Sequence, residues 1–220
     1  MGLNCGCPQG AHIADLVIPE CKESLGQVQK VIFQRVFKST GELNGIAVDS
    51  GSSTIGKLAT WTALTTASDG TKMTVSPFLQ GPSTEPGAAR TFGGGNQTLN
   101  GIEIIVGREP TSFSATFYEE SQAVIAAMKG YMCENIGVML IDNGGNIACL
   151  ADDPASPKKL MPIPIDKLFI GDKKLGGLEE PDSNAIEWSF KPNWSDGLYI
   201  IKRTELEFDP LTALVNVKSV

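Results

Sequence analysis

The forty residues from Thr111 to Leu150 constrain this chain more than any other stretch. Thr111-Ser112-Phe113-Ser114-Ala115-Thr116-Phe117 alternates polar and apolar side chains with period two, the pattern of a strand with one face buried. The pattern then changes to a helical period. Thr116 and Glu119 have the spacing of a capping box, and Val124, Ile125, Met128, Tyr131 and Met132 form one apolar stripe, which predicts a helix over 119–133. Two further apolar runs, 136–141 and 146–150, flank Asp142-Asn143-Gly144-Gly145, and Asn143-Gly144 is the pair favoured by a two-residue type I′ hairpin. Strand, helix and hairpin in this order predict a sheet with one helix laid against it.

The rest of the chain extends that reading. Val28 to Phe37 is apolar beyond strict alternation and predicts a strand covered on both faces. Strands are also expected over 71–79, with Pro77 placing its end at an edge, and over 102–106, 162–170, 185–190, 198–202 and 204–208. Residues 55–66, with Leu58, Trp61 and Leu64 at spacing three, fit a short helix capped by Ser53 or Thr54. Their threonines and Trp61 equally suit a strand. The polar, glycine-rich segment 39–54 and the segment 152–159 read as surface loops. The fold class expected is mainly β (α+β): a β-sandwich or partly closed barrel with one flanking helix.

Two segments resist assignment to that core. Residues 1–26, with Gly2, Gly6, Pro8, Gly10, Pro19 and Gly26, read as an extended N-terminal arm. Residues 80–101, including Gly81-Pro82 and Gly93-Gly94-Gly95-Asn96, lack periodicity and read as a long loop. Structureless loops longer than about 12–15 residues are usually functional or linker-like. The remainder, 27–220, is expected to form one domain, without internal repeats.

Composition narrows the function. The 220 residues carry 41% hydrophobic side chains, enough for a substantial core, and a net charge of −7 that repels nucleic-acid phosphates and anionic membranes. A conduit through which DNA slides is the exception, because its walls must not hold the cargo. No run approaches the roughly 20 apolar residues of a membrane span. The N-terminus lacks the pattern of a secretory signal, and its myristoylation motif is incomplete because Gly6 stands where Ser or Thr belongs.

No catalytic, cofactor-binding or metal-binding residue is predicted. Cys5, Cys7, His12 and Cys21 together present four ligands for zinc, but a Cys-x-Cys pair with a lone third Cys departs from structural-zinc spacing, and reduced thiols are expected. Cys133 and Cys149 lie in apolar company and are expected to pack as small hydrophobes. His12 is the sole histidine and belongs to the arm, so a Ser-His or Cys-His site would need that segment to hold a base in register. The glycines at 93–95 are followed by no Lys-Ser or Lys-Thr, and Asp142, Asp152 and Asp153 lack the calcium-loop series. Asn96-Gln97-Thr98 is a glycosylation sequon without a secretory context.

In the order of strand, helix and hairpin, the chain resembles the major tail tube proteins of long-tailed bacteriophages and the related ring-forming tube proteins of contractile injection systems. The resemblance covers about the middle and C-terminal two-thirds of the chain and rests on no diagnostic motif. It implies a β-sandwich with a flanking helix, 119–133 here, that closes into hexameric rings. The rings stack through an N-terminal arm, 1–26, and a long loop, 80–101 or 39–54. It further implies a structural virion protein assembled in the host cytoplasm, with copies of itself and other virion proteins as partners, DNA passing transiently, and no membrane. Other expectations are a connector, tail terminator or capsid decoration protein. From a different class comes a carbohydrate-binding module using Trp188, Trp194 and Tyr199. That module needs exposed rings, whereas Trp188 alternates with Ile186 and Phe190 on a side predicted to face inward.

Overall fold

The computed structural model describes residues 24–50 and 53–216, so the arm up to residue 23, with Cys5, Cys7, His12 and Cys21, lies outside the described residues. Fifteen strands and three helices follow in chain order: β1 Val28–Arg35, β2 Ile46–Ala47, β3 Asp49–Ser50, β4 Ser53–Thr54, α1 Leu58–Thr65, β5 Met73–Val75, β6 Gln80–Glu85, β7 Ala89–Gly93, β8 Glu103–Arg108, β9 Thr111–Tyr118, α2 Gln122–Gly130, β10 Ile136–Asp142, β11 Ile147–Ala151, β12 Lys159–Met161, β13 Ile163–Ile170, β14 Ser183–Phe190, β15 Leu198–Ile201 and α3 Pro210–Ala213. Eleven strands join one antiparallel sheet that folds over itself without closing into a barrel. The mainly β expectation is met as a bent, sandwich-like sheet.

β10 organises the bend. Along one edge it pairs with the length of β1, while Leu140 and Ile141 pair with β11 and Gly137 and Val138 pair with β13. The chain from β12 to β13 is nearly continuous through buried Pro162, so it pairs first with β11 and then with β10 and β14. A strand that changes partners at a bend is how a sheet turns its corner. At that corner the backbones approach too closely for a side chain: a Cβ on Gly137 would stand 2.8 Å from the Ile163 carbonyl oxygen and 2.9 Å from Pro162 Cβ.

Because β1 and β10 lie in the middle, their two faces feed two cores. Val31, Phe33, Ile136, Val138 and Leu140 face the layer made by β13, β14, β9 and α2. Ile32, Met139 and Ile141 face Trp61 of α1, Leu206, Phe208 and Leu214. This is the two-sided burial expected of the first apolar run. Lys30, the buried cation of β1, donates to the Leu211 carbonyl at 2.6 Å and lies 4.4 Å from the Phe78 ring, so its ammonium is satisfied where burial lowers its pKa.

Several local expectations are corrected. Residues 58–65 are helical. Lys57, not Ser53 or Thr54, stands at the N-cap without a side-chain bond, and Trp61 fixes the helix by donating to the Ile55 carbonyl at 2.8 Å. The flanking helix starts at Gln122, capped by Ser121, whose hydroxyl accepts from the Val124 amide at 3.4 Å. Glu119 has φ 55° and belongs to the turn before the helix, so the capping box does not form. After Gly130 one 3₁₀ turn, Tyr131–Cys133, rotates the stripe, which leaves Met132 and Cys133 exposed while Tyr131 packs on Phe33. Residues 203–208 form a 3₁₀ turn and a bend, with the Glu207 amide donating to the Gly56 carbonyl at 2.9 Å, in place of a strand. Part of the polar 152–159 loop becomes β12, and the 39–54 loop contains β2 and the small β3–β4 hairpin.

The β10–β11 turn is also of another type. Among its residues only Gly145 has positive φ, at 78°, and its amide donates to the Asp142 carbonyl at 3.1 Å, which makes a type I turn closed by a glycine bulge rather than type I′. Asp142, 1% exposed, is the reason. Its carboxylate accepts from the Gly26, Gly144 and Asn146 amides and from Asn146 Nδ2, at 2.8–2.9 Å. Asp142→Ala orphans these donors and is expected to lower stability by about 2–4 kcal/mol. Urea unfolding of the variant, with circular dichroism as readout, checks this.

Candidate functional site

Three surfaces of the protomer have the geometry of a site, and the first is a hairpin. The expected structureless loop 80–101 is corrected: β6 joins the large sheet beside β9, and β7 pairs with β8 as a separate two-stranded ribbon. Phe92 stands opposite Ile104 on one face of the ribbon and Thr91 opposite Ile105 on the other. Four glycines of the connecting turn, Gly93, Gly94, Gly95 and Gly101, take φ between 54° and 108°. Phe92, Leu99, Ile102, Ile105 and Val106 are 57–88% exposed and belong to neither core. Arg90 forms an ion pair with Glu109 at its base, which raises the guanidinium pKa and lowers that of the carboxyl.

The second surface is the outer face of β13, β14, β9 and β6. Register places Asp166, Ser189, Ser112 and Glu85 in one row, Phe169, Glu187, Ser114 and Ser83 in the next, and Ala185, Thr116 and Gln80 in a third. Hydroxyls, one amide and three carboxylates pave it, with Ala185 and the exposed Phe169 among them. No lysine or arginine stands in these rows. Lys167, exposed in the β13 bulge between Asp166 and Phe169, Lys191, 4.0 Å from Asp166, and Lys174, bridged to Ser183, lie beside the rows.

The third is an open groove of about 690 Å³ lined by Phe33, Gln34, Arg35, Asp69, Lys72, Tyr131 and Glu134, among others. Arg35 and Glu134 pair at 2.6 Å, which holds the Glu134 carboxyl below its usual range, and hydrogen bonds from Thr71 do the same for Asp69. Both carboxylates therefore stay ionised at neutral pH.

Among the described residues, the candidates read from sequence are not brought together into a site; Cys5, Cys7, His12 and Cys21 lie outside them. Cys149 is buried, its thiol pushed up to about 12 by burial, and it donates weakly to the Tyr199 carbonyl at 3.6 Å. It packs as a small hydrophobe, as expected, whereas Cys133 is exposed. Asp142 is consumed by its turn, and Asp152 accepts the Lys158 and Lys159 amides. Among the described residues no three His, Cys, Asp or Glu side chains cluster to hold a metal. No helix among them is long and apolar enough to cross a membrane. The sugar platform does not form: Trp188 is 2% exposed and stacks on Phe113 at 3.9 Å, and Trp194 stacks on Phe190 at 4.4 Å.

What sequence reasoning missed is the partner strand β7 and the pavement of the outer face. The available signals were Thr91-Phe92 before the glycine turn and the hydroxyls alternating with Phe113, Ala115 and Phe117.

No family model matches this chain, and no curated protein matches it. Among solved structures, the tail of an empty GTA particle, refined helically with C6 symmetry, is 12% identical, with 56% of this chain and 86% of that chain covered and a TM-score of 0.32. A crystal structure of Hcp protein is 10% identical, with 79% of this chain and 98% of that chain covered and a TM-score of 0.20.

Proposed function

We propose that this chain is a structural subunit that assembles with its own copies into six-membered rings, stacked as the tail tube of a phage particle through which DNA passes. The ring order and the tube come from the resemblance of its element order to tail tube proteins. The observation that carries self-assembly is the β7–β8 hairpin, which exposes apolar side chains on both faces and is covered by nothing among the described residues of its own protomer. A two-stranded hairpin alone is marginal in water.

Magnitudes favour several simultaneous contacts. Covering one large apolar side chain contributes about 1.5–3 kcal/mol, so the five exposed on the hairpin are together of the same order as the roughly 4–15 kcal/mol of freedom lost on association. The hairpin by itself gives weak pairing. A ring, in which each copy contacts several others, gives stable assembly.

In this reading the outer face of β13, β14, β9 and β6 lines the channel. Its hydroxyls and carboxylates leave the central rows without cations, so phosphates pass without being held. The function is structural, with no catalytic residue, cofactor or metal. The partners are copies of the same chain and other virion proteins, and the subunit is assembled in the host cytoplasm without a membrane.

Negative-stain microscopy with light scattering on the purified protein tests the proposal: rings or filaments with a central channel are expected. Single rings that never stack point to a connector or terminator. A protein that stays monomeric at high concentration overturns the assembly reading.

A further inference from the structure

We infer that the copies stack head to tail with the β7–β8 hairpin of one copy lying on the 171–182 loop of the next and Arg108 facing Glu179. This rests on the assembly reading above and identifies the surface the hairpin meets.

The register of the β9–β14 ladder places the two elements. Thr111 of β9 stands opposite Phe190, and Tyr118 opposite Ser183. The hairpin runs into β9 at its Thr111 end, through Glu109 and Pro110. The 171–182 loop leaves β13 at Ile170 and enters β14 at Ser183, the Tyr118 end. Hairpin base and loop are thus at opposite ends of an eight-residue ladder, about 23 Å apart.

Among the described residues both elements expose large apolar side chains that nothing covers. Ile105 and Val106 are 65% and 63% exposed, and Leu175 and Leu178 of the loop are 78% and 106% exposed. Two such patches at opposite ends of one protomer suit a heterologous contact, which repeats along the strand direction instead of closing as a two-fold dimer.

The charges define the pairing. In the loop Asp172 pairs with Lys129, Glu180 with Lys174 at 3.0 Å, and Asp182 with Lys173 at 3.9 Å, whereas Glu179 has no ion-pair partner among the described residues. On the hairpin Arg90 and Glu109 pair with each other. Arg108 and, near the tip opposite Gly93, Glu103 have no ion-pair partner among the described residues. Arg108 follows the exposed Val106 by two positions, and Glu179 follows Leu178 directly. Seating Leu178 on Val106 therefore brings the unpaired carboxylate to the unpaired guanidinium and keeps Glu103 away from the loop's carboxylates.

Charge reversal in the full-length protein tests this. Arg108→Glu and Glu179→Arg are each expected to weaken stacking by roughly tenfold or more, read by sedimentation and microscopy, with circular dichroism unchanged. The double variant is expected to recover stacking. In parallel, a benzophenone amino acid at Ile105 is expected to cross-link to residues 171–182 of a second chain. Single variants that stack like the parent, a double variant no better than the singles, or a cross-link mapping elsewhere overturns the contact while leaving assembly intact. A parent protein that never assembles overturns the assembly reading itself.

Discussion

Replacing residues 89–108 by a two-residue Asn-Gly turn is expected to abolish stacking into filaments and leave a folded protomer. The excision is conservative for the fold. The ends of the hairpin already adjoin, because the Glu109 amide donates to the Ala88 carbonyl at 2.8 Å. β6 and β9, which flank the excursion, pair directly, so the shortened chain becomes an ordinary hairpin of the main sheet. Hairpin residues contribute to neither core cluster. Protomer stability should thus change by less than about 1 kcal/mol, since shortening a loop alters closure entropy only slightly. Light scattering gives the mass and thermal unfolding the stability. Filaments that persist in the shortened protein would remove the main support for the proposed function, and loss of the protomer's own fold would show that the hairpin serves the protomer instead.

Trp188→Ala is expected to produce the largest loss of protomer stability, about 3–5 kcal/mol. Trp188 lies at the centre of the layer that carries the proposed channel wall. Its ring stacks on Phe113 with an interplanar angle of 13° and meets Phe190 edge-on at 6.0 Å, and Phe190 stacks in turn on Trp194. Truncation leaves a cavity among large, rigid rings that cannot collapse into it, which is the condition for a high cost. Trp188→Phe should cost clearly less. It keeps an aromatic partner for Phe113 and removes an indole N–H that finds no acceptor among the described residues. Guanidinium unfolding of both variants checks the order. Equal losses would mean that the site relaxes and that stacking contributes little.

The two predictions probe parts of the chain that differ in how readable they are. The inward side of β9 and β14 is written in alternation: Phe113, Ala115 and Phe117 against Ser112, Ser114 and Thr116, and Ile186, Trp188 and Phe190 in step across the ladder. That pattern exists because one face is buried and the other is not. The β7–β8 hairpin has no inside, so neither of its strands alternates and β7 passes for loop. Likewise Glu119 has the spacing of a capping residue, but it sits in a turn whose amide bonds to the Asp182 carbonyl, while Ser121 takes the cap.

The sequence by itself determined where the chain alternates, where it turns helical and where glycine and asparagine break it, because these depend on which side chains neighbour one another along one backbone. Tertiary structure alone decided the rest. It chose the type I turn with a glycine bulge at Asp142–Asn146, since a buried carboxylate there collects amides from both flanks and from distant Gly26. It made a 3₁₀ turn of Arg203–Glu205, where the Asn146 side chain accepts the Arg203 amide and no strand lies alongside to pair. It placed the hairpin and the leucine-bearing loop at opposite ends of one ladder. Such outcomes depend on hydrogen bonds and contacts between residues far apart in sequence, and no local pattern of side chains specifies which distant backbone will supply them.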